Sequence, residues 1–81
     1  MTLEDKQKMF VAQKGLCHIC GRPMASWDTS VIDHNHYTEE IRGLAHDLCN
    51  TRMGTIECLH HDDPETLTRM FGIIGIERQA I

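Results

Sequence analysis

Residues 31–50 of this 81-residue chain hold two sets of side chains that can do chemistry. Asp33-His34-x-His36 is followed, across a short polar turn, by Arg42-Gly43 and then by His46-x-x-Cys49-Asn50. Cys17-x-x-Cys20 lies just upstream. Thiolates and imidazoles at knuckle spacing are ligands of a structural zinc ion. A carboxylate, an amide and two imidazoles are the parts of a metal-assisted hydrolytic site. The expectation is a division of labour: one set builds the fold and the other acts on a substrate.

Cys17, Cys20, His46 and Cys49 form a Cys-x2-Cys and a His-x2-Cys half, separated by 25 residues. A two-residue spacer lets both donors of a half point to one centre, and Gly21 permits the tight turn beneath the first pair. Two halves of equal spacing that bracket a hairpin make a closed structural Zn²⁺ site the leading reading. The plainer one leaves His46 on the surface, with Cys58 or nothing as fourth ligand. Cys58 has no partner at knuckle spacing and reads as a half-buried free thiol. His60 and His61 are neighbours in sequence, so they point apart and read as part of a solvated loop.

Asp33, His34, His36 and Asn50 remain once zinc is satisfied. A carboxylate and an amide oxygen are hard ligands suited to Mg²⁺ or Mn²⁺. A neutral imidazole can take a proton from water near neutral pH. Together these groups meet the needs of phosphodiester hydrolysis. Asn50 adjoins Cys49, so zinc would fix the helix start that presents the amide opposite the strand carrying Asp33 and His34. The plainer reading is a second metal-binding or surface histidine cluster without turnover.

The elements that must position these groups follow from pattern and punctuation. Residues 2–14 read as a helix capped by Thr2, with Asp5 three positions on and Gly15 at its end; Leu3, Phe10 and Val11 lie near one face. Its lysines, Lys6, Lys8 and Lys14, read as a solvated face. Residues 22–29 read as a loop, with Trp27 as a small core plug. Residues 31–34 and 41–44 read as strands around a turn over 35–40. A helix follows from about Ala45 to Met53, closed by Gly54, then an irregular stretch over 55–62. Asp63 and Pro64 open a last helix that Gly72 ends, and Ile73, Ile74 and Ile76 are expected to pack on the core. The fold class is a small α+β zinc-stapled domain, one unit over residues 1–81 with its core at 17–54 and a helical extension at 55–81.

Composition fits this scheme. A chain of this size gains only marginal stability from an apolar core, and its large aromatics are few: Trp27, Tyr37, Phe10 and Phe71. A metal staple answers that need. The start Met-Thr-Leu-Glu-Asp-Lys is charged and has no apolar leader character, and no run approaches membrane-spanning length. A cytoplasmic address is the default expectation, and there paired thiols bind metal more often than they form disulfides. Net charge is −4, split as −1 over residues 1–54 (six Lys/Arg, seven Asp/Glu) and −3 over 55–81 (two and five). That balance argues against a long sequence-independent DNA footprint but leaves room for a compact site that grips one or two phosphates.

The order Cys-x2-Cys, Asp-His-x-His, Arg-Gly-Leu, then Cys49-Asn50 resembles the recombination endonuclease VII group within the His-Me finger (ββα-metal, HNH-like) nucleases, over roughly residues 17–54. The resemblance implies a ββα-metal core with an N-terminal and a C-terminal helix, and a divalent-metal-dependent DNA endonuclease that nicks or cuts with low sequence specificity. It implies Asp33 and Asn50 as Mg²⁺ or Mn²⁺ ligands, His34 as general base, His36 as a second imidazole able to exchange roles with it, and Arg42 as a phosphate contact or a brace. The group usually places four cysteines on zinc, and here His46 stands at the third position. Long C-terminal dimerisation helices of junction-resolving members have no full counterpart in the 27 residues after Gly54, so monomer and homodimer both stay open. Many small relatives are phage-encoded, which implies host cytoplasm and phage DNA-processing partners. The competing readings are a non-catalytic zinc module that binds nucleic acid or protein, and a thiol-redox protein.

Overall fold

Helix α1 (Leu3–Ala12) opens with a complete capping box. The Asp5 N–H donates to the Thr2 hydroxyl at 3.1 Å, and the Thr2 N–H donates to the Asp5 carboxylate at 3.3 Å. The computed structural model describes residues 1–75. α1 stops before residue 14 because Lys14 (φ 57°) and Gly15 (φ 70°) both turn left-handed. Of its apolar residues, only Met9 and Phe10 pack on the core; Leu3 and Val11 are exposed, against expectation. Leu3 lies on the Phe10 side but seven residues away, about 10 Å up the helix, and Val11 is turned roughly 100° off that side. The helix meets the rest of the fold through its C-terminal turn.

After α1 the chain doubles back at the first knuckle. The Cys17 N–H donates to the Arg22 carbonyl (2.9 Å), the Gly21 N–H to the Cys17 carbonyl (2.9 Å) and the Met24 N–H to the Gly15 carbonyl (2.8 Å). Gly21 takes a φ of 77°, the conformation its position in the turn required. Trp27 is half-buried beside the core rather than plugged into it, with the Lys6 ammonium 5.9 Å above its ring centroid.

Strands β1 (Val31–His34) and β2 (Ile41–Ala45) pair antiparallel, Val31 opposite Ala45 and Asp33 opposite Gly43. The register then shifts so that His34 faces Ile41, leaving Arg42 as the extra residue of a bulge. Asn35 shapes the turn between them: its carboxamide oxygen accepts from the N–H groups of Tyr37 (2.8 Å) and Thr38 (3.2 Å). Leu44 and Ala45 are fully buried and share the core with Cys17, Met24 and Cys49.

A two-stranded sheet has two open edges, and on the edge of β2 Leu44 meets the Gln13 carboxamide and the His18 N–H. Gln13, just past α1, donates through Nε2 to the carbonyls of Leu44 (3.0 Å) and Leu16 (2.7 Å), and its Oε1 accepts from the Leu44 N–H at 2.7 Å. Its carboxamide thus pairs with Leu44 as a neighbouring strand would. Gly43 makes this approach possible. A Cβ there would sit 3.0 Å from Gln13 Oε1 and 3.0 Å from His18 Cγ, on a backbone with φ of 155°. The glycine that weakens β2 as a strand is what lets two side chains close on its edge.

Helix α2 (Asp47–Asp62) overturns the expected stop at Gly54 and the irregular stretch after it. A glycine ends a helix by turning left-handed; inside one it costs only about 1 kcal/mol relative to alanine. Nothing else over residues 55–62 breaks a helix, and the next proline in the chain is Pro64. Asp63 caps α3 (Pro64–Ile74), accepting from the Thr66 N–H at 3.3 Å. Gly72 lies within α3, which ends at left-handed Gly75. Leu67 is buried, but Ile73 and Ile74 are exposed rather than packed; Ile76 lies outside the described residues. Contacts divide the chain into Met1–Thr51 and the residues from Arg52 onward. Among the described residues, no helix is long and apolar enough to cross a membrane.

Replacing Gln13 by Ala leaves the Leu44 N–H without its edge partner and its carbonyl with the His18 N–H alone. The expected loss is about 1–3 kcal/mol of stability, read as a lower urea midpoint with an unchanged slope. Gln13→Glu, which keeps the acceptor and loses the donor, should fall between. A midpoint for Gln13→Ala equal to the parent's would show that the edge does not depend on this side chain.

Candidate functional site

The two halves of the expected metal site converge. The ligand atoms of Cys17, Cys20, His46 and Cys49 all lie within 4.8 Å of one another. Donors around tetrahedral zinc, at bond lengths of about 2.0–2.3 Å, stand roughly 3.3–3.8 Å apart, so the cluster could hold zinc with small adjustments. Cys17 and Cys20 come from the knuckle, His46 from the link after β2, and Cys49 from the first turn of α2. The His46 Nδ1 is 3.4 Å from Cys20 Sγ and 3.8 Å from Cys49 Sγ. Its Nε2 stands 3.0 Å from the Pro23 carbonyl. A carbonyl only accepts, so Nε2 carries the proton and Nδ1 turns its lone pair to the sulfurs.

The electrostatics prepare these donors. Burial pushes the Cys17 thiol up, but the backbone N–H groups around Cys20, His46 and Ile19 and the His46 ring outweigh it, bringing the thiol from 9.0 down to about 6. Backbone hydrogen bonding near Arg22 leads in lowering Cys20, whereas burial and then the neighbouring thiols raise Cys49. Cys17 leads in raising the His46 imidazole, with the Pro23 carbonyl next. Cys58 belongs to none of this. It is exposed on α2, not half-buried, and its thiol donates to Asp62 at 3.3 Å. His61 pairs with the same carboxylate at 3.1 Å.

The second set is built around Asp33. This carboxylate is 2% exposed, and Arg42 grips it with two nitrogens: Nε to Oδ2 at 3.1 Å and Nη2 to Oδ1 at 3.0 Å. Arg42 Nη2 also donates to the His34 carbonyl at 3.3 Å. The bulge gives Arg42 this reach across the hairpin. A third partner comes from the knuckle: His18 Nε2 lies 2.8 Å from Asp33 Oδ2.

His34 and His36 are, respectively, exposed at the end of β1 and exposed in the turn beyond it, next to this buried group in sequence, with ring centroids 4.8 Å apart and planes tilted by 53°. Asn50 is half-buried in the first turn of α2, its N–H on the His46 carbonyl at 2.9 Å. The structure thus brings together the four metal donors, Asp33 with Arg42, and His34 with His36; Asn50 makes no hydrogen bond to Asp33 or either of those imidazoles.

Sequence reasoning missed Gln13 and His18. The only available signal for His18 was indirect: a carboxylate buried on a short strand needs counter-charges, and a knuckle histidine is one of few candidates. Gln13 left no pattern, because a single amide past a helix end is ordinary.

Comparison with known proteins adds one match. The family model described as recombination endonuclease VII covers residues 1–73, from α1 through most of α3. The search of curated proteins finds no match.

Acid should release a metal ion from the cluster. Thiolates and neutral imidazole are the binding forms, so affinity falls as pH drops: Cys17 takes up its proton near 6, and His46, raised above its ordinary value, becomes cationic more readily than a free imidazole. A colorimetric chelator should find about one zinc per chain retained at pH 7.5 and lost by about pH 5, with loss of the near-ultraviolet signal of Trp27. Zinc held unchanged at pH 5, or replacement of Cys49 by Ser without effect on zinc content, would contradict this site.

Proposed function

The chain belongs to the recombination endonuclease VII family and is a nuclease, a phosphodiester hydrolase; from that premise we propose that it is a DNA endonuclease dependent on Mg²⁺ or Mn²⁺, with low sequence preference, encoded by a phage. The observation that carries the reading is the pairing of a buried, doubly gripped carboxylate with an exposed imidazole at the next position of the same strand. Asp33 points inward and His34 outward, so one strand end offers both an anchored anion and a solvent-facing base.

In this reading the chemistry divides among named side chains. His34 accepts the proton of the attacking water as its oxygen adds to phosphorus, and the P–O bond to the leaving nucleoside breaks. The leaving oxygen takes a proton from solvent water, so one strand end carries a phosphate and the other a hydroxyl. His36, beside it, orients the water or exchanges roles with His34. The Asp33 carboxylate and the Asn50 amide oxygen would hold the divalent ion. Their chemistry fits, since both are hard oxygen donors. When bound, the ion supplies positive charge at the scissile phosphate and the leaving oxygen.

Arg42 balances the Asp33 charge, and its side chain, 28% exposed, is read as a phosphate contact or as the brace of that carboxylate. Zinc on the four-donor cluster is proposed as structural, fixing Cys49 and with it the adjacent Asn50. Residues 1–81 then work as one nuclease domain, with residues 17–54 as core and 55–81 as extension, acting as monomer or homodimer in the host cytoplasm.

Supercoiled plasmid incubated with the zinc-loaded protein should be nicked or linearised when Mg²⁺ or Mn²⁺ is added and left intact in a chelator. His34→Ala should slow this by about 10²–10⁴-fold, and Asp33→Asn should abolish it, while Cys58→Ser keeps the full rate. Intact plasmid in every divalent metal, or parental cleavage by His34→Ala, would defeat the assignment.

A further inference from the structure

We propose that His18 is a positioning residue: it ties the Asp33 carboxylate to the metal knuckle and fixes which carboxylate oxygen is presented. The inference rests on the reading of Asp33 as a divalent-ion ligand and adds a residue to it.

His18 is held on every side that matters. Its neighbours in sequence include Cys17 and Cys20, both members of the metal cluster. Its own N–H donates to the Leu44 carbonyl at 3.1 Å, which fastens it to β2. Its ring lies against Gly43, where a Cβ would come within 3.0 Å of Cγ and 3.1 Å of Cδ2. The imidazole therefore has little rotational freedom, and its Nε2 ends 2.8 Å from Asp33 Oδ2. A carboxylate only accepts, so this nitrogen is the protonated one. The ring is not among the clustered metal donors, which are Cys17, Cys20, His46 and Cys49.

An aspartate needs such a partner. The torsion that turns its carboxylate plane is broad and roughly two-fold, so packing alone does not fix which oxygen faces out. His18 and Arg42 Nε both hold Oδ2, while Oδ1 meets Arg42 Nη2. The two side chains are similarly exposed, Arg42 28% and His18 24%, but Arg42 is long and stands on a bulge. His18 is short, and both its backbone and its ring are constrained. The short-reach donor is thus His18; by holding Oδ2 together with Arg42 Nε it leaves Oδ1, shared with Arg42 Nη2, as the oxygen for the divalent ion. Partners behind a metal ligand typically change metal affinity by about 10–100-fold when removed.

The pair His18→Asn and His18→Gln separates positioning from folding. A Gln amide nitrogen reaches about as far as the ring Nε2, whereas an Asn amide falls short of Asp33. Both variants, with His18→Ala and Asp33→Asn, would be prepared with zinc bound and without DNA. Mn²⁺ binding is read from the loss of the free-ion electron paramagnetic resonance signal, and zinc content and helical signal are read alongside. His18→Asn and His18→Ala are expected to keep one zinc and the helical signal yet bind Mn²⁺ about 10–100-fold more weakly, with His18→Gln near the parent.

On a labelled duplex, kcat should fall for His18→Asn while KM for DNA stays put, and added Mn²⁺ should restore the rate. Parental Mn²⁺ affinity in His18→Asn, equal losses in Asn and Gln, or loss of zinc in both overturns the proposal. If Asp33→Asn loses Mn²⁺ binding and His18→Asn does not, only the His18 inference fails. If Asp33→Asn binds as the parent does, the ligand reading of Asp33 fails and takes the inference with it.

Discussion

A hairpin whose strands are four and five residues long cannot hold itself together in water. Every other feature of residues 1–51 can be understood as an answer to that constraint, and the answers converge on β2. Its edge is paired by the Gln13 amide and the His18 N–H, both on Leu44. Its last residue leads directly into His46, and both Leu44 and Ala45 are fully buried. The metal cluster then joins the knuckle on the N-terminal side of the hairpin to the start of α2 on its C-terminal side. In a chain with few large apolar side chains, directional bonds at one strand replace the area that a larger core would bury.

The same economy explains how a charged group can sit in so small an interior. Burying a carboxylate without compensation is prohibitive, and even paired charges recover their hydration only when geometry is good. Asp33 meets that condition with two contacts from Arg42 and one from His18. One partner arrives through a bulge and the other through the knuckle, so two irregularities of the backbone exist where the carboxylate needs them. An anion held this way has little freedom to turn, which is the property an electrostatic site requires of its ligands.

How much of this could be read beforehand depended on how far apart the partners are in sequence. The knuckles, the hairpin, the Thr2 and Asp63 caps and the convergence of Cys17, Cys20, His46 and Cys49 all rest on short spacings with known geometry, and these were legible. The extent of α2 was not. Gly54 carries the same letter as Gly15 and Gly75, which do turn left-handed, and only the absence of a later breaker tells them apart. The exposed Leu3, Val11, Ile73 and Ile74 were misplaced because helical spacing says which residues share a face but not how much of that face is covered. The Gln13 and His18 contacts were invisible because they join positions 31 and 15 residues apart through single side chains.

The placement of the four thiols has a consequence for how the molecule meets electrophiles. The thiolate is the reactive form of cysteine. The thiol drawn lowest, Cys17, is 1% exposed and faces its fellow donors. The one set out on the surface, Cys58, donates to Asp62, and that hydrogen bond, with the carboxylate's charge next, pushes its pKa up and keeps it protonated. Cys20, half-buried and also lowered, is one of the clustered donors; with an ion held there, a thiol-directed reagent would meet at the surface only the protonated Cys58.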